Sequence, residues 1–88
     1  MRKFNFTLDN GTVLTISPPT VRTYYKGFVS AKTDGQLFSA VAEICNKNDE
    51  NISVDCDFVL NNFTVDDFNR FVRNFSDWIN SEKNSDPN

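Results

Sequence analysis

Histidine is absent from all 88 residues, which removes the commonest general base and the imidazole ligand that most transition-metal sites use. Catalysis would then rest on carboxylates and thiols alone. Cysteine is scarce too, and Cys56 sits between Asp55 and Asp57, an acidic setting unsuited to a nucleophilic thiolate. Three glycines are too few and too dispersed to form a phosphate-binding loop. Asp49, Glu50, Asp55 and Asp57 lack the spacing and the glycine of a calcium loop. The expectation is a protein that is no enzyme and needs no metal or cofactor.

Two further scarcities bear on partners. No apolar run approaches the roughly 20 residues that cross a bilayer, and the N-terminal Met1 to Phe6 lacks an unbroken hydrophobic core. A cytoplasmic protein is expected, with no membrane partner and with Cys45 and Cys56 reduced and packed inside. Basic residues number nine against twelve acids, for a net charge of -3 and an isoelectric point near 4.7. Nucleic-acid affinity begins with clustered Lys and Arg. Here they are scattered, and the pairs Arg22 with Lys26 and Arg70 with Arg73 read as solvated helix faces.

What the chain does have is aromatic mass: nine Phe, two Tyr and one Trp. In a domain this small, which buries only about 60 to 65% of its unfolded surface, each large ring carries much of the core. Phe4, Phe6 and Leu8 alternate with polar residues, as do Leu14 and Ile16, the period of strands with one buried face. Between them, Asp9-Asn10-Gly11 is a turn. A two-residue loop would set the Phe face opposite Thr15 and Ser17. A three-residue loop with Gly11 left-handed pairs Phe6 with Leu14 and Phe4 with Ile16, so the pattern predicts a type I turn with a G1 bulge.

Helices follow. Ser17 as N-cap and Pro18 in the first turn open one whose inward stripe is Val21, Tyr24 or Tyr25, Phe28 and Val29, ending near residues 30 to 32. Gly27 within it suits close packing against the hairpin. Leu37, Phe38, Val41, Ile44 and Cys45 mark a second helix to about Lys47, followed by a polar loop from Asn46 to Asn51. The stretch from Ile52 to Asn62 reads as irregular, with a single helical turn near 57 to 62.

The strongest local code opens the last helix. Thr64 is the N-cap, Asp67 stands at N3 where its carboxylate reaches back to the cap N–H, and Phe63 faces Phe68 as a hydrophobic staple. Asp66 and Asp67 complement the helix dipole. From Val65 to about Ser81 the apolar stripe is wide. Phe68, Val72, Phe75 and Ile79 read as core. Phe71 and Trp78 lie toward its edge, where large aromatics are enriched in interface hot spots, and Tyr24-Tyr25 is a pair of which one member turns outward. Phe71, Trp78, Tyr24 and Tyr25 are the candidate protein-binding residues. The fold class expected is α+β, a β-hairpin followed by a bundle of about three helices, in one domain over residues 1–82 with a disordered tail over 83–88.

Leu8-Asp9-Asn10-Gly11-Thr12, the proline-led Ser17-Pro18-Pro19-Thr20-Val21-Arg22, and the run from Phe58 through Phe68 into a helix ending near Trp78-Ile79 together resemble the tail assembly chaperones of long-tailed bacteriophages and prophages of low-GC Gram-positive bacteria. The resemblance spans about residues 3 to 80. It implies a small cytoplasmic, non-catalytic protein that binds the tape measure protein while the tail tube polymerises around it. Exposed apolar surface would shield helical segments of that client, and acidity would keep the complex soluble. Two other classes fit the same composition: a small acidic inhibitor of a host enzyme, whose binding would be salt-sensitive, and a self-assembling structural protein, a homo-oligomer whose aromatic rim is covered by its own copies.

Overall fold

The structure, a computed structural model, describes residues 2–84. It is α+β: an N-terminal antiparallel hairpin followed by four helices. Strands β1 (Phe4–Thr7) and β2 (Val13–Ile16) pair Phe4 with Ile16 and Phe6 with Leu14, the register that the hydrophobic pattern demands. Gly11 N–H donates to the Leu8 carbonyl, Leu8 N–H donates to the Thr12 carbonyl, and Gly11 adopts φ 93°. That is the expected type I turn with a left-handed glycine, fastened further by Asn10 Oδ1, which accepts from Thr12 N–H at 2.9 Å.

The outer edge of β2 is covered by the loop after the second helix. Thr15 N–H and Oγ1 donate to the Glu50 carboxylate at 2.7 and 2.6 Å, and Asp49 N–H donates to the Thr15 carbonyl at 3.0 Å. A side-chain carboxylate thus takes the place of a third strand, one way of blunting an exposed edge. Asn48 holds the loop from inside: its amide donates to the carbonyls of Cys45 and Ile52 and accepts from Ile52 N–H. Asn51 completes the bend in the left-handed region, at φ 61°, a conformation asparagine tolerates.

The segment Arg22–Val29 is wound as a π-helix, and this overturns part of the sequence reading. Ser17 does not cap it; Ser17 Oγ accepts from Lys3 Nζ, and Thr20 Oγ1 accepts from Thr23 N–H instead. The residues that face the core are Thr23, Tyr24 and Phe28. Seven residues make nearly two turns of an α-helix but fall well short of two turns of the wider π coil. Val21 and Phe28 therefore do not share a face. Val21, Tyr25 and Val29 are instead 75, 51 and 55% exposed. Gly27 lies against Ala40 of the next helix, not against the hairpin, and a Cβ there would sit at an ordinary 3.7 Å.

Helix α1 (Asp34–Asn46) runs through the middle of the domain and buries Ala40, Val41, Ala42, Ile44 and Cys45. Thr33 caps it by accepting from Gln36 N–H, and Gln36 reaches back to accept from Lys32 N–H. Helix α2 (Cys56–Asn62) is short, two turns started by the Asp55 side chain on Phe58 N–H. Helix α3 (Val65–Asn84) extends beyond the expected end near Ser81; it includes residues 83 and 84 of the expected disordered tail, and residues 85–88 lie outside the described residues. No helix among the described residues is long and apolar enough to cross a membrane.

A cluster of aromatic rings joins the hairpin to α3 within the core. Phe71 and Phe75 of α3 stack at 5.2 Å, and Phe4 of β1 meets both edge-on at 5.8 and 5.5 Å. Phe6 packs edge-on to Phe71, and Phe28 edge-on to Phe75. Such pairs contribute about 0.5–1.5 kcal/mol beyond the area they bury. The hairpin and α3 are therefore held together by rings contributed from opposite ends of the sequence.

Candidate functional site

The starts of α1 and α3 and the C-terminal half of α2 converge to frame an apolar groove. It is lined by Asp34 and Phe38 from α1, Val59 and Leu60 from α2, Phe63 and Thr64 from the connection, and Val65, Phe68 and Asn69 from α3, and encloses about 330 Å³. Phe38 and Phe68 meet edge-on at 5.2 Å. Leu60 and Val65 stand over the groove 56 and 76% exposed. This is the composition of a docking surface: aliphatic and aromatic walls with a few polar groups at the rim. Nothing in it is arranged as a nucleophile with its base.

The groove wall formed by α3 is fixed by a polar clasp to the hairpin turn. The expected capping box is present, with Thr64 Oγ1 accepting from Asp67 N–H at 2.9 Å and Asp67 Oδ2 accepting from Thr64 N–H at 3.0 Å. Asp67 Oδ1 accepts in addition from Asp9 N–H and from the Arg70 guanidinium, each at 3.0 Å. Arg70 donates to the Thr7 carbonyl and lies over the Phe6 ring at 4.8 Å, and Thr64 Oγ1 donates to Asp9 Oδ2. Asp67 is wholly buried. Burial pushes its carboxyl pKa up, but the N–H groups of Thr64 and Asp9 and the Arg70 guanidinium outweigh that and hold it below the usual carboxylate value. A buried charge with this many donors is satisfied, so it fixes geometry without leaving an unpaired group.

The residues nominated from the sequence are dispersed by the fold. Phe71 has no exposed surface; it belongs to the stacked core, because a residue placed on the edge of a helical stripe becomes central once the hairpin packs on that edge. Tyr24 is buried between Phe28 and Tyr25. Trp78 is half-buried against Phe4 and Phe75, with the Arg2 guanidinium 4.2 Å over its ring and bonded to its carbonyl. Tyr25 alone of the four is well exposed, on a stripe with Val21 and Val29. The Phe63 and Phe68 rings of the expected staple take different partners, Phe6 and Phe71 for the one and Phe38 for the other. Both nevertheless line the groove.

The groove residues Leu60 and Val65 were missed, though the sequence carried a signal for each. Phe58-Val59-Leu60 places three apolar residues in a row on a short helix, where one of them must face out, and Val65 directly follows an N-cap, at the exposed first helical position. Of the cysteines, Cys45 is buried, which pushes its thiol pKa far up, while Cys56 is half-buried at the start of α2 with its sulfur 3.3 Å from Ser39 Oγ. The expectation that both pack inside thus holds for Cys45 alone. No family model matches the chain, and no curated protein or solved structure is significantly similar to it.

Proposed function

We propose that this chain is a non-catalytic protein-binding module that shields apolar helical segments of a client, as a tail assembly chaperone does for the tape measure protein. The observation that carries this reading is the groove: Leu60, Val65, Phe38 and Phe68 present a continuous apolar surface on a domain whose core is already complete. An amphipathic helix lays one face into such a groove. The rigid clasp at Asp67 keeps the α3 wall in place before binding, so little ordering cost falls on the module itself.

Co-expression with a phage tape measure protein, an aggregation-prone client rich in apolar helical segments, tests the reading. Wild type should raise the client's soluble fraction, and Leu60→Ser with Val65→Ser should lose that effect while keeping the wild-type circular dichroism spectrum. Equal rescue by the variant, or no rescue by well-expressed wild type, would overturn it. Phe71 is unsuitable for this experiment, because its removal opens the core.

A further inference from the structure

We infer that the chain associates head to tail with a second copy, the exposed stripe of the π-helix in one molecule seating in the groove of the next. The inference rests on the reading of the groove as a docking surface, and not on any client. Val21 at the N-cap and Tyr25 and Val29 on the outer side of the π-helix recur every fourth residue, each more than half exposed. Arg22 and Lys26 follow Val21 and Tyr25 by one residue and run beside that stripe, and the π-helix Arg22–Val29 contains no acid. The result is an apolar, aromatic and basic face on a chain whose net charge is negative.

The groove carries the opposite charge. Asp34 lines it; Asp57 lies one turn before Leu60 on α2, and Asp66 one turn before Asn69 on α3, all three exposed. Pairing two π-helices would set Arg22 and Lys26 against their own copies, and pairing two grooves would set acids against acids. Seating the stripe in the groove brings opposite charges together around an apolar centre, with Tyr25 the large amphipathic side chain suited to enter it. Such a contact is heterologous. Each added copy leaves one stripe and one groove open, so assembly proceeds to a ring or a filament.

Sedimentation velocity over a range of concentrations tests this with two doubly substituted chains, Tyr25→Glu with Val29→Glu in the stripe and Leu60→Lys with Val65→Lys in the groove. All four positions are exposed, and circular dichroism checks that both fold. Wild type should grow beyond a dimer with concentration, and each variant alone should be monomeric. An equimolar mixture should form a dimer and stop there, because the stripe-defective chain keeps its groove and the groove-defective chain keeps its stripe. Monomeric wild type, a mixture that stays monomeric, or a wild-type oligomer indifferent to both variants would overturn the inference. The stripe variant should still solubilise a client, so failure here and failure of the chaperone reading give different results.

Discussion

The start of α3 and the π-helix are built from similar materials, an aromatic pair and a threonine near the first turn, yet they are determined in opposite ways. At Thr64 the local code and the tertiary contacts agree: the capping box that the sequence writes is the same carboxylate that accepts from Asp9 and Arg70 across the fold. At Thr20 to Val29 the local code points to an α-helix with Val21 inside, while packing of Tyr24 and Phe28 against Phe75 selects a wider winding. Where levels agree, the element is rigid and supports a groove wall. Where they disagree, residues that the local pattern places inside, Val21 and Val29, are left on the surface.

That comparison can be broken most forcefully at Phe71. Phe71→Ala removes a fully buried ring that touches Phe4, Phe6, Phe63 and Phe75, and should cost about 3–5 kcal/mol, enough to unfold much of so small a domain. Urea denaturation measures it. A loss below 1 kcal/mol would mean that the hairpin does not rest on α3.

Asp67→Ala should come next, at about 2–3 kcal/mol, since it deletes a cap and charge-assisted bonds to Asp9 and Arg70 together. The pH dependence follows in sign. The carboxyl pKa is depressed on folding, so its contribution is fully present above the unfolded value of about 3.9 and is lost as pH falls through the lower folded value. Thermal melts from pH 6 to pH 2 should show a loss of stability below about pH 4 that Asp67→Asn makes shallower. The Glu50 carboxylate, lowered chiefly by its bonds from Thr15, acts in the same direction and window but is solvent-exposed.

Gly27→Ala sharpens the other side of the comparison. The new methyl would meet Ala40 at an ordinary 3.7 Å, and alanine is favoured over glycine in a helix by up to about 1 kcal/mol. A small rise in melting temperature is expected; a fall would show that the π winding itself requires glycine. Tyr25→Ser should have the smallest effect, within about 0.5 kcal/mol, because the residue is exposed and its ring touches chiefly Tyr24.

The hairpin register was legible because Phe4, Phe6, Leu14 and Ile16 allow only one pairing that keeps both apolar faces together. The capping box was legible because it depends on residues three apart. What separates Asp9 from Asp67, or Thr15 from Glu50, is chain length: such contacts form only once the fold has closed, and nothing local marks them. Arg70 looks like a solvated cation in sequence and is the centre of the clasp in space. The groove was half legible, since Phe63 and Phe68 were recognised as a pair at the helix start, but its other wall comes from Phe38 and Leu60, which only the packing of three helices brings opposite them.

The central claim is that the groove between α1, α2 and α3 accepts an apolar helical face. Backbone amide shifts followed by NMR at low protein concentration, during titration with an amphipathic helical peptide bearing a leucine face and lysine flanks, test it most directly. Shifts centred on Phe38, Leu60, Val65 and Phe68, abolished in Leu60→Lys with Val65→Lys, are the expected result. Shifts centred on Val21, Tyr25 and Val29, or none at all, would contradict it.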